Sequence, residues 1–152
     1  MTTSLLKSIL KKMYHDYAIV FPGLDPMEAQ KASVVLMKSN VPKIPSDYVQ
    51  FLSMTDGLSW NGLTLFSLND HEREQGAFVH PGIMQQYPMY VSNPLLEKKL
   101  VLGMAPEELI VFYPAQNEYQ ILDRCTYNVI IKLPRFYDVL YFYAGILMKD
   151  AE

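Results

Sequence analysis

The sequence predicts an α+β fold, with N-terminal helices packed on an antiparallel β-sheet and a C-terminal helix closing the domain. Three observations carry this. Before residue 58 and after residue 133, apolar residues recur at helical spacing. Between residues 63 and 132 lie short runs rich in branched and aromatic residues, separated by short polar connections that favour antiparallel neighbours. The 152 residues, half of them hydrophobic, suit one domain around one core, so residues 1–152 are read as a single domain.

The elements follow in order. Leu6, Ile9, Leu10, Met13, Tyr14 and Tyr17 form an apolar stripe that predicts a helix over residues 4–17. Lys7, Lys11 and Lys12 lie off its centre, and Phe21-Pro22-Gly23 breaks it. Asp25-Pro26-Met27-Glu28 starts a second helix. Asp25 can cap, Pro26 suits the first helical position, and Glu28 can reach back. This helix runs to about residue 38, where Asn40-Val41-Pro42 ends it. A third begins near Ser46, after Pro45, with Tyr48, Phe51, Leu52 and Thr55 on one face. Gly57 can take the left-handed conformation that ends such a helix. The chain is therefore expected to be all helix before residue 58.

Residues 63–68 are the first strand candidate. Residues 69–94 read as irregular, with breakers at Pro81-Gly82, Pro88 and Asn93-Pro94, and connections this long are often functional. Strands follow at 100–102, 109–113, 119–122 and 128–131. Leu133-Pro134 opens the last helix. Phe136, Val139, Leu140, Tyr143 and Leu147 form its core stripe, with Tyr137 and Tyr141 as a second aromatic stripe. The expected core comprises Phe51, Leu52, Leu65, Phe66, Val111, Ile121, Ile130, Phe136 and Leu140.

The run Ile44-Pro45-Ser46-Asp47-Tyr48-Val49-Gln50-Phe51-Leu52-Ser53-Met54-Thr55-Asp56-Gly57 leads directly into Leu58 to Phe66. This resembles the signature of the SUKH superfamily, an "LP-x-D-Y-x-x-F-L" helix followed by N/D-G and a hydrophobic strand. Leu100-Val101-Leu102-Gly103, followed by Glu108-Leu109-Ile110-Val111-Phe112, is similar to the family's next strand pair. The resemblance covers residues 44 to about 143. Ala105-Pro106 stands where the family often has a further glycine. The resemblance implies an α+β domain and a non-enzymatic, protein-binding role. Bacterial members are largely immunity proteins that bind and neutralise toxins, and a fungal member regulates cell-wall synthesis.

Composition narrows the classes. Net charge is −3 with a pI near 5.6, which argues against general nucleic-acid binding. Residues 1–50 carry +2, residues 51–100 carry −2 and residues 101–152 carry −3, so the acidity lies late in the chain. The 19% charged fraction is below the usual quarter, as a chain with a buried contact surface would have. One cysteine, Cys125, excludes an intramolecular disulfide and suits a reducing compartment. Lysines interrupt the first apolar residues, so no secretory signal is read, and no run is long enough to span a bilayer. A cytoplasmic location is expected.

The candidate site is a contact surface. Asp70, Glu72 and Glu74 cluster in a polar loop and could meet basic groups on a partner. Asp56 and Trp60 lie at the signature turn, where an exposed tryptophan could anchor an interface. Tyr137 and Tyr141, if exposed, suit another protein or a second copy of this chain. The expected partner is a cognate protein toxin with a basic or nuclease-like cleft. Neither nucleic acid nor membrane is expected to bind.

Chemistry has little to work with. His71, Glu72 and His80 carry zinc-type ligands, but no spacing fixes a site, so solvated histidines are the favoured reading. Cys125 reads as an incidental turn thiol. No phosphate-binding glycine loop is present. No catalytic residue, cofactor or metal is therefore expected. A small hydrolase or metal-dependent enzyme using His71 and His80, or a regulatory scaffold, are the alternatives.

Overall fold

The computed structural model describes residues 3–150, with side chains for residues 4–145. In chain order these form α1 (Thr3–His15), β1 (Ile19–Val20), α2 (Pro26–Lys38), α3 (Ser46–Met54), β2 (Leu58–Trp60), β3 (Leu63–Leu65), β4 (His71–Arg73), β5 (Phe78–His80), α4 (Ile83–Tyr90), β6 (Leu100–Ala105), β7 (Glu108–Tyr113), β8 (Glu118–Asp123), β9 (Val129–Leu133) and α5 (Phe136–Asp150). The architecture is α+β, as expected. Seven strands form one sheet in the order β1-β2-β3-β6-β7-β8-β9, and every neighbouring pair is antiparallel. β4 and β5 form a separate hairpin.

The local rules act where the sequence placed them. Asp25 caps α2, its carboxylate accepting the Met27 N–H at 3.0 Å, with Pro26 in the first turn. Pro45 precedes α3 in extended conformation, but no side chain caps this helix. Asp47 turns away to tie distant elements together. One of its oxygens accepts the Tyr119 hydroxyl, and the other accepts the Phe136 N–H at 2.8 Å. Tyr48, Phe51, Tyr119 and Phe136 stack in one aromatic cluster, with ring centroids 4.9–5.8 Å apart. Tyr48 reaches from α3 to the sheet, its hydroxyl 2.6 Å from the Phe66 carbonyl. Burial, and then the Asp56 charge, push that phenol well above its ordinary pKa, so it stays a donor.

Four expectations need correction. The chain before residue 58 is not all helix, because β1 pairs with β2 at Ile19–Ser59 and Val20–Leu58. The run of strands after α3 also begins at Leu58 rather than residue 63. Asn61 and Gly62 both take positive φ, 48° and 86°, and make the two-residue turn that joins Trp60 to Leu63. The span 69–94 is not irregular. It holds β4, β5 and α4, and α4 continues through Pro88. The carbonyls of Ser67 and Leu68 accept the first N–H groups of α4, at 2.7 and 3.0 Å from Ile83 and Met84.

Ile130 is the fourth. β9 pairs Ile131 with Ile121 and then Val129 with Leu122, so Ile130 is the extra residue of a β-bulge. It leaves the core and stands 53% exposed. The other eight predicted core residues are buried. Leu147 lies outside the residues with described side chains. Ala105-Pro106 does not spoil the β6–β7 hairpin, where Ala105 pairs with Glu108 across a tight turn. Among the described residues, no helix is long and apolar enough to cross a membrane.

Candidate protein interface

The signature turn builds a platform beneath the β4–β5 hairpin. Thr55, extended after α3, accepts the Phe21 N–H at 3.0 Å and donates to the Gly57 carbonyl at 2.7 Å. Asp56 is then directed inward. Its carboxylate accepts the Leu68 N–H at 2.9 Å and lies 2.7 Å from His71 Nε2. An ionised carboxylate only accepts, so Nε2 of His71 carries the hydrogen.

His71 and His80 face each other across the hairpin. Phe21 stacks on His71 with ring centroids 4.5 Å apart, and its ring tilts against His80 at 4.8 Å. His80 is buried, its Nε2 donating to the Leu65 carbonyl at 2.9 Å. Burial pulls the His80 pKa below its ordinary value, and the neighbouring His71 and Arg73 act in the same direction. Gly57 makes this seat possible. Its φ is +95°, and a Cβ there would stand 2.7 Å from His80 Nε2.

The hairpin is thus pinned at its base and free at its end. Asp70 accepts the Gly82 N–H at 2.7 Å, closing the stem. Glu72 and Val79, paired in the register, share the face opposite His71 and His80. Phe78 is 57% and Val79 54% exposed, and Glu72 and Glu74 are exposed beside them. The turn takes positive φ at Glu74, Gln75 and Gly76. Alternation puts Val79 and Glu72 on one face and Phe78 and Arg73 on the other, so the fixed hairpin exposes an apolar side chain on each face, with Glu74 at its turn.

The predicted contact residues separate into three groups. Asp70, Glu72 and Glu74 lie on or beside the hairpin, although Asp70 is engaged in the stem. Asp56 and Trp60 are corrections, because both are buried and present no surface to a partner. Trp60 packs in the core and donates from Nε1 to Asp16 Oδ2 at 3.0 Å. Tyr137 and Tyr141 stack on α5 with centroids 6.1 Å apart. Tyr137 is half-buried under the Arg135 guanidinium, and Tyr141 is 65% exposed.

His71 and His80 are not solvated loop histidines, since both hold the hairpin. Among the described residues, no group of three or more His, Cys, Asp and Glu side chains could hold a metal ion. Cys125 is an exposed free thiol in the β8–β9 turn. Sequence reasoning missed Phe78, Val79 and Phe21. The signal for the first two was present: His71-Glu72-Arg73 and Phe78-Val79-His80 flank a glycine-containing turn.

Beside the platform lies an apolar groove of about 420 Å³ between α1 and β1. Leu10, Tyr14, Val20 and Phe21 line it, with Lys7 and Lys11 also contributing. Phe21 therefore belongs to both the groove and the hairpin base. Two larger clefts, about 540 and 870 Å³, meet near Asn40, Val41, Pro42 and Lys98, and none of the predicted contact residues lines either one. No family model matches the chain, and no curated protein matches it.

Proposed function

We propose that this chain is a non-enzymatic protein-binding domain of SUKH type, and that it acts as an immunity protein which binds and neutralises a cognate toxin. The observation that supports this most directly is the fixed hairpin carrying Glu72, Glu74, Phe78 and Val79 outward. Rigid scaffolds with exposed loops commonly carry recognition. The carboxylates suit a basic partner and would steer its approach, while Phe78 and Val79 supply the apolar area that resists dissociation.

The test is association kinetics with the product of the adjacent gene. Glu72→Ala/Glu74→Ala should slow the on-rate and flatten its salt dependence. Phe78→Ser should speed dissociation by about tenfold or more. An on-rate insensitive to both salt and the double substitution, together with a native off-rate for Phe78→Ser, removes the hairpin from the interface. A neighbouring protein that is toxic in cells and is not relieved by this chain defeats the immunity role.

A further inference from the structure

We propose that the α1–β1 groove receives the β4–β5 hairpin of a second copy of this chain, by two-fold exchange. The two surfaces are complementary in charge and in polarity. The groove offers Leu10, Tyr14, Val20 and Phe21, with Lys7 and Lys11 one helical turn apart beside them. The hairpin offers Val79 and Glu72 on one face, with Glu74 at its turn. Among the described residues, none of these four charged side chains forms an ion pair within its own chain.

Their placement suits a closed pair. Phe21 lines the groove and also stacks on His71 at the hairpin base, so groove and hairpin are adjacent on one molecule. A two-fold interface requires that adjacency, because each copy must give its hairpin and receive the other's in one surface. Within one chain the hairpin cannot fill the groove, since Asp56, the Leu65 carbonyl and Phe21 hold its base. In the dimer, Val79 covers the apolar lining, and Glu72 and Glu74 face Lys7 and Lys11. A partner seated on the same hairpin competes with the second copy.

Charge reversal on the intact chain tests this without any partner, so its failure leaves the toxin-binding reading standing. The readout is molar mass by sedimentation equilibrium, with circular dichroism as the control for folding. The wild type should dimerise, and added salt should weaken the dimer. Lys7→Glu/Lys11→Glu and Glu72→Lys/Glu74→Lys should each raise the dimer Kd by at least about tenfold. Mixed one to one, the two variants should form a heterodimer, since each groove then meets a hairpin of opposite charge. Three results would overturn the proposal. One is a wild type that stays monomeric at about 100 μM, well above a micromolar Kd. Another is a pair of variants that dimerise like the wild type. The third is a mixture of folded, monomeric variants that does not associate.

Discussion

Asp47 caps helix α5 from 89 residues away: its carboxylate accepts the backbone N–H of Phe136 at 2.8 Å. The same side chain receives the Tyr119 hydroxyl, so α3, β8 and α5 meet at one group. Burial, then the Asp47 charge, hold the Tyr119 phenol far above its ordinary pKa, so it remains a donor throughout the working range. Asp47→Ala should cost about 1–3 kcal/mol, because a buried hydroxyl and a helix N–H both lose their acceptor. Asp47→Asn keeps an acceptor and should lose less. Urea denaturation of the two variants checks this order, and a loss below about 0.5 kcal/mol for Asp47→Ala would deny the carboxylate its capping role.

Phe51 is fully buried in the aromatic cluster. Phe51→Ala should therefore cost about 3–5 kcal/mol in chemical denaturation. A loss below about 1 kcal/mol, the range of peripheral sites, would place α3 outside the core.

Trp60 separates packing from recognition. Trp60→Phe keeps most of the buried ring but loses the N–H donated to Asp16, and should cost about 1–2 kcal/mol. Partner dissociation should be unchanged in the same variant, because the side chain is 2% exposed. A faster off-rate in a variant of native stability would return Trp60 to the interface.

His80 makes stability depend on pH in a definite direction. Its pKa is lowered in the folded chain, so the unfolded chain binds a proton at His80 that the native state refuses. The contribution is complete above the ordinary histidine value of about 6.5 and is lost as pH falls below it toward the lower folded value. The groups facing His80 are His71, Arg73, Asp56 and the Leu65 carbonyl. Denaturation midpoints should fall with acidification through this window, and less steeply for His80→Gln. Parallel slopes for wild type and variant would show that His80 titrates as it does in the unfolded chain.

The sequence made the helices and the central strands legible because each obeys one strong local rule. Asp25-Pro26 both caps and starts α2, and the near-continuous apolar runs of β6 and β7 can only be buried. The β4–β5 hairpin was hidden because its strands are short and half polar, so alternation gave no apolar face to detect. Pro88 masked α4, since one missing N–H is tolerated where the Ser67 and Leu68 carbonyls already hold the helix start. Trp60 and Asp56 were misjudged for a different reason. A turn residue is usually exposed, but here Asp16, Leu68 and His71, all distant in sequence, bring complementary groups to them. The acidic residues of the hairpin were found because charge survives any error in local structure.

The bulge at Ile130 has a colloidal consequence. β9 is the outermost strand of the sheet, and a smooth apolar strand there would serve as a template for any unfolded neighbour. An arriving chain instead meets a backbone row that steps out of phase at Ile130 and then the exposed Lys132 ammonium. The isoleucine that escapes the core thereby guards the molecule against fibre growth, and a strand straightened by its removal would trade that protection for regular pairing.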